Sequence, residues 1–285
     1  WAMVITAVAF LLPVLPIAEP LSHPMLQFAA GPISFYSEIT GFSAMSDAFI
    51  GHMVFWTSLS IMLAIIGYGL FPRGFIISLK YRISQLPNQW GFAGRMIMAF
   101  SLVFTVISGH HLYQQLNMAG YTTSEDTMDW RQAYESRYGP FKNMPSPSVE
   151  HVRNEVALFP SERRIELSGE YTLYNYHSKP IKEVLVSTHR FTSYEQVSMS
   201  DAELLQHDKT FSQYLFSLKT PMAPGERRSL NFRFSKVQSG YMGTRNDNII
   251  TQDFSLFRFM RYAPMIGFNK YNTIRINGER KKRGM

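Results

Sequence analysis

Apolar and polar residues follow different rules in the two parts of this chain. Residues Ile50 to Phe71 (IGHMVFWTSLSIMLAIIGYGLF) hold no Asp, Glu, Lys or Arg over 22 positions, close to the roughly 20 residues a helix needs to cross a ~30 Å hydrocarbon layer. Met96 to Tyr113 (MIMAFSLVFTVISGHHLY) is likewise free of full charges, with Arg95 at one end and His110, His111 and Tyr113 at the other as interfacial flanks. Ala2 to Ala18 is equally apolar but begins abruptly at Trp1, without the charged leader of a signal peptide. It reads as the truncated helix of a longer protein, so three spans and a fragment are expected. The stretch from Pro20 to Ile50 is apolar for a solvated loop; it either dips into the interface or is an ordinary external loop.

Past Ser148 the period changes to two. The segments HVRNEVALF, RRIELSGEYTLYNY, IKEVLVSTHRF, FSQYLFSLK, RRSLNFRFSKV and NIITQDFSLFRFM alternate apolar with polar residues, punctuated by Gly, Pro, Asn and Asp. In YTLYNY the alternation places Tyr171, Leu173 and Asn175 on one face and Thr172, Tyr174 and Tyr176 on the other, and His177–Pro180 makes a turn before Ile181. MSDAELLQHD (199–208) is the one segment expected to form a helical turn. Between the two regimes, Ser124, Asp126 and Thr127 mark a helix start, and Trp130, Ala133, Tyr134 and Arg137 recur at helical spacing. Pro140, Pro145 and Pro147 end it, which predicts a helical stalk and a stiff linker. The expected fold is therefore an α-helical transmembrane segment of three spans (1–113), a stalk and linker (114–148), and an all-β, sandwich- or saddle-like extracytoplasmic domain (149–285).

Charge sharpens this division. Residues 1–113 carry 7 of the 49 Asp, Glu, Lys and Arg residues. Arg73, Lys80, Arg82 and Arg95 lie between the second and third spans with no acid among them, whereas Glu19, Glu38 and Asp47 lie in the preceding loop with no Lys or Arg. Basic short loops stay cytoplasmic, so everything after residue 114 is expected outside. The formal charge of +7 does not make a nucleic-acid surface, because four basic residues belong to that loop and others to the tail around RKKRG and Arg275, leaving a nearly balanced β-region. There is no cysteine, so no disulfide restrains the exported part.

Candidate chemistry is sparse. The 8 histidines include no H-E-x-x-H, and no Gly-rich phosphate loop with its Lys appears. GYMGT around Met242 reads as a turn. His52, His110 and His111 sit at span ends, where membrane histidines serve as haem ligands in some proteins but where polar side chains are also common; the interfacial reading is preferred. No catalytic, cofactor-binding or metal residue is assigned to the chain.

The order of features resembles bacterial ABC transporter permeases fused to an aminopeptidase N-type zinc metallopeptidase. The resemblance is carried by FPRGFIISLKYRI, the AYESRY stalk at Ala133–Tyr138, Pro145 and Pro147, G-x-Y-x-L-x-N at Gly169–Asn175, and PMIGF at Pro264–Phe268 followed by RKKRGM. Each motif is weak alone; their order, over most of 71–285, is more specific. It implies that residues of about 149–270 form the N-terminal β-saddle of the peptidase-like half, and that 1–113 are the last permease spans. It also implies that zinc ligands lie downstream. The missing H-E-x-x-H then reflects truncation or a relative that lost its peptidase. The implied partners are the lipid bilayer of the bacterial inner membrane, an ABC ATPase subunit, a peptide or protein substrate and a second copy of the chain, with no nucleic acid. A membrane-anchored zinc aminopeptidase and a tethered protein-binding β-sandwich remain the alternatives.

Overall fold

The computed structural model describes residues 23, 25, 26, 31, 36, 38, 41–71, 78–241, 248–250 and 255–285. It divides into two compact units, Trp1–Tyr121 with Ser239–Asn246, and Thr122–Gln238 with Asp247–Met285.

In the first unit, α1 (Ser43–Leu70) and α3 (Gly91–Met118) flank a short α2 (Leu79–Gln89). Two of the described helices are long and apolar enough to cross a membrane, at Ser46–Leu70 and Gly91–Met118. The expected third span, Ala2–Ala18, lies outside the described residues. The loop expected up to Ile50 ends earlier, because α1 already begins at Ser43. The basic loop also contains a helix: Leu79, Ile83 and Leu86 recur at i, i+4 and i+7, and Pro87 lies inside α2 near its end.

The two long helices run antiparallel, since Ser58 of α1 meets Ser101 while Ile65, further along α1, meets Trp90. Ser101 Oγ donates to the Ser58 carbonyl at 2.8 Å, Thr105 Oγ1 lies 3.1 Å from Ser58 Oγ, and Trp90 Nε1 donates to the Ile65 carbonyl at 3.0 Å. Small hydroxyl residues of this kind join helices in lipid, where apolar contact gives no preference for protein over lipid. Ile97, Phe100, Val103, Phe104 and Ile107 of α3 remain exposed.

In the second unit, two antiparallel sheets stack as a sandwich. One has the order β1 (Ser148–Phe159), β2 (Arg164–Tyr174), β7 (Arg227–Val237), β4 (Tyr194–Met199). The other has the order β10 (Met265–Ile266), β3 (Ile181–Ser187), β6 (Gln213–Met222), β5 (Ala202–Asp208). A small hairpin pairs β8 (Asn248–Ile250) with β9 (Ser255–Phe257).

The core follows the alternation read from the sequence. Leu167, Tyr171, Leu173 and Phe232 on the first sheet meet Val184, Phe216 and other apolar residues on the second. Asn175, on the buried face with Tyr171 and Leu173, donates to the Met222 carbonyl at 2.9 Å and accepts from the His177 N–H at 2.9 Å, which satisfies its polar atoms at the turn. Gly169 faces Phe232 across β2 and β7, and a Cβ placed there would run into the Phe232 ring.

The segment 199–208 is not helical. Its Leu204–Leu205 pair mimics a helical face, but Asp201 takes a positive φ of 50° and turns the chain into β5. The Lys219 N–H then donates to the Asp201 carbonyl at 2.9 Å. As an edge strand with most residues exposed, β5 carries little of the alternation that would have marked it.

The expected stalk is a helix, α4 (Ser124–Tyr138), capped where Thr123 Oγ1 accepts from the Asp126 N–H at 3.1 Å. It does not stand apart from the sheets. Tyr134 and Tyr138 are buried with Leu185 and Phe211, Trp130 Nε1 donates to the Thr210 carbonyl at 2.9 Å, and Tyr138 Oη donates to Asp208 at 2.8 Å. Burial, then the Asp208 carboxylate, holds the Tyr138 phenol above its ordinary pKa.

Candidate functional site

Three places concentrate polar or reactive groups. The first is the histidine set singled out in the sequence. His52, in α1, is not at an open interface: it is buried, with its Nδ1 2.7 Å from the Ala48 carbonyl. A carbonyl can only accept, so Nδ1 carries the proton. His111 of α3 is brought to the same ring as His52, with Tyr241 at centroid distances of 6.4 Å from His52 and 5.9 Å from His111. Gly51 lies against the Tyr241 hydroxyl, and a Cβ there would press on the tip of that side chain unless it shifted. His110 lies apart and exposed, its Nε2 2.9 Å from Gln114 Nε2. The histidines therefore pack on an aromatic ring within the helical unit. Tyr241 was not legible as their partner, being remote in sequence. The GYMGT turn is described only at Gly240, with φ of 70°, and Tyr241.

Among the described residues no group of three or more His, Asp or Glu could hold a metal ion. These donors do not fit a zinc site, and no chemical step is derived through one.

The second place is the face where α4 meets the PMIGF segment and the basic tail. Gly267, with φ of 82°, donates its N–H to the Leu185 carbonyl at 2.7 Å as β10 joins β3. Phe268 stacks on Tyr134 at 5.5 Å and the Asn269 N–H donates to Tyr134 Oη at 3.0 Å. Beyond it, α5 (Asn277–Lys282) begins a turn whose Arg280 pairs with Glu135 at 2.9 Å, while Arg283 pairs with Asp129. The basic tail thus places two of its arginines on α4 acids. The Arg280 hydrogen bond holds Glu135 below the ordinary carboxylate range, against the opposing effect of burial. This face is an internal clasp, and its polar groups are engaged with one another.

The third place is the outer edge of β1. This 12-residue strand carries neither Pro nor Gly, and among the described residues no strand pairs with its outer edge. Its partners on β2 through Val152, Val156 and Leu158 are Tyr171, Leu167 and Ile165, all core residues. Those three β1 side chains point the same way as the core yet are about half exposed, at 49%, 52% and 49%. The second sheet does not reach far enough to cover them. An unpaired row of backbone N–H and C=O groups beside an apolar stripe can receive an added strand. The strand was legible in the sequence; its edge position was not, because pairing order is set by tertiary structure.

No family model matches the sequence, and no curated protein matches it. Among solved structures, the chain is similar to a mutant M1 zinc metallopeptidase from Deinococcus radiodurans bound to a Tyr-Ser-Ala substrate, at 15% identity over 32% of this chain and 21% of that one, with a TM-score of 0.26. It is similar to the M1 zinc metallopeptidase of the same organism at 14% identity over 32% and 20%, with a TM-score of 0.26. It is also similar to yeast LTA4 hydrolase at 15% identity over 34% and 16%, with a TM-score of 0.24. The chain spans about a fifth or less of the length of these structures. None of the three names is that of a permease.

Proposed function

We propose that this chain is a membrane component of an ABC-type transporter permease carrying an extracytoplasmic, aminopeptidase-like β-domain, and that these 285 residues are themselves non-catalytic. The observation that carries the reading is the succession along one chain of two membrane-length helices, a basic inter-helix segment and a sandwich with its own core. The order of sequence motifs from FPRGFIISLKYRI to PMIGF supports the permease–peptidase part of the reading. The β-domain then serves as a docking or substrate-presenting head, in the bacterial inner membrane, and zinc belongs to a catalytic domain encoded elsewhere in a longer protein.

The test is purification of the chain in mild detergent from a bacterial membrane, with mass spectrometry of what accompanies it and a peptidase assay. An accompanying ABC-type ATPase and no hydrolysis of aminoacyl substrates are the expected results. Hydrolysis that a chelator abolishes would overturn the reading in favour of a membrane-anchored zinc aminopeptidase.

A further inference from the structure

We propose that the free edge of β1 pairs with β1 of a second copy of this chain, antiparallel and centred on Asn154. The inference stands on the strand itself and does not depend on the permease reading.

Of the sandwich's edge strands, β1 alone offers a long regular row. The β5 pairing is interrupted between Leu204 and Gln206, that of β4 between Tyr194 and Gln196, and β10 spans only Met265–Ile266. In β1 the single irregularity falls between Val149 and His151. Regular strand runs from His151 to Phe159, and Asn154 lies within it. Natural edges are blunted by Pro, by charged side chains or by mid-strand bulges; this run has no Pro and no bulge, and its two charges, Arg153 and Glu155, are of opposite sign.

Side-chain chemistry then selects the partner. Two copies of one strand related by a two-fold axis normal to the sheet keep their faces aligned, so opposed residue numbers sum to a constant even number. When Asn154 opposes its own copy, Val152 faces Val156 and Arg153 faces Glu155, each twice by symmetry. A shift centred on Arg153 puts like cations opposite each other, and one centred on Glu155 puts like anions opposite. The Asn154 register is the one that matches apolar with apolar and cation with anion. Arg153 and Glu155 pair with each other within the strand at 3.5 Å, but their side chains are 78% and 75% exposed and can exchange that contact for one across the strands. Val152 and Val156, half exposed, would cover one flank of each other on pairing. A generic extended peptide would share the backbone bonds but has no reason to carry this mirrored charge order.

The chain has no cysteine, which makes cross-linking specific. In the full chain purified in detergent, Asn154→Cys should form a dimer disulfide under mild oxidation, because opposed Cα atoms in such a pair lie about 4.5–5.5 Å apart. Arg153→Cys alone should cross-link markedly more slowly, yet should do so readily when mixed with Glu155→Cys. In sedimentation of the unlinked chain, Arg153→Glu should weaken the dimer about tenfold or more, and combining it with Glu155→Arg should restore it. These positions are exposed, so folding is not at stake, and an unchanged circular dichroism spectrum checks that. A chain that stays monomeric at all concentrations overturns the proposal. So does a dimer indifferent to Arg153→Glu, which would locate self-association elsewhere, and so does an edge that captures an unrelated extended peptide while two copies stay apart. Absence of an ATPase partner would leave the outcome of these measurements unchanged.

Discussion

Gly169 shows how one position can decide packing. It lies mid-strand in β2, where glycine ordinarily weakens a sheet, yet a Cβ there would collide with Phe232 and lie 2.7 Å from Asn154 Oδ1. Gly169→Ala is therefore expected to destabilise the sandwich by about 1–3 kcal/mol through overpacking, seen as an earlier loss of the sheet signal in urea. An unchanged midpoint would mean that the Phe232 ring moves freely. In the sequence this glycine was visible only as part of G-x-Y-x-L-x-N; its contact with Phe232 depends on the β2–β7 register, which no local pattern encodes. His52 makes the opposite point. The sequence places it at a span end, whereas the helix begins at Ser43 and buries it against Tyr241, a partner far along the chain.

Among the elements, the helices and strands whose pattern was strong were legible and the weakly patterned ones were not. The long α1 and α3 and the strands β1, β2, β3, β6 and β7 follow their apolar runs or alternation. β5 has the pattern of a helical turn because its two faces are both largely solvated, and α2 lies in a segment whose strongest sequence signal is its charge. The helix α4 was anticipated, but its anchorage on Leu185 and Phe211 required contacts across the fold. Its clasp to the tail predicts a pH effect. Glu135 is held below its ordinary value of 4.5, first by the Arg280 hydrogen bond. The folded state therefore binds this proton less readily than the unfolded one. Its contribution is present above about pH 4.5 and is lost as pH falls through the lower folded value. Glu135→Gln should cost about 0.5–1 kcal/mol near neutrality, the worth of a partly exposed pair, and should flatten the acid limb of the stability curve. A mutant curve parallel to the original at all pH values would contradict this.

For the molecule as a whole, the change from continuous apolar runs to alternation gave both the helical unit and the sandwich, and the cluster of Arg73, Lys80, Arg82 and Arg95 gave the expected sidedness. The proposed function rests on which side of the membrane the sandwich is held. That placement is tested most directly by single cysteines introduced into the cysteine-free chain, one at Ser78 beside α2 and one at Ser136 on the exposed side of α4. In intact cells, a membrane-impermeant maleimide should label Ser136→Cys at once and Ser78→Cys only after the membrane is opened. Equal labelling of the two in intact cells, or labelling of Ser78→Cys alone, would contradict the account.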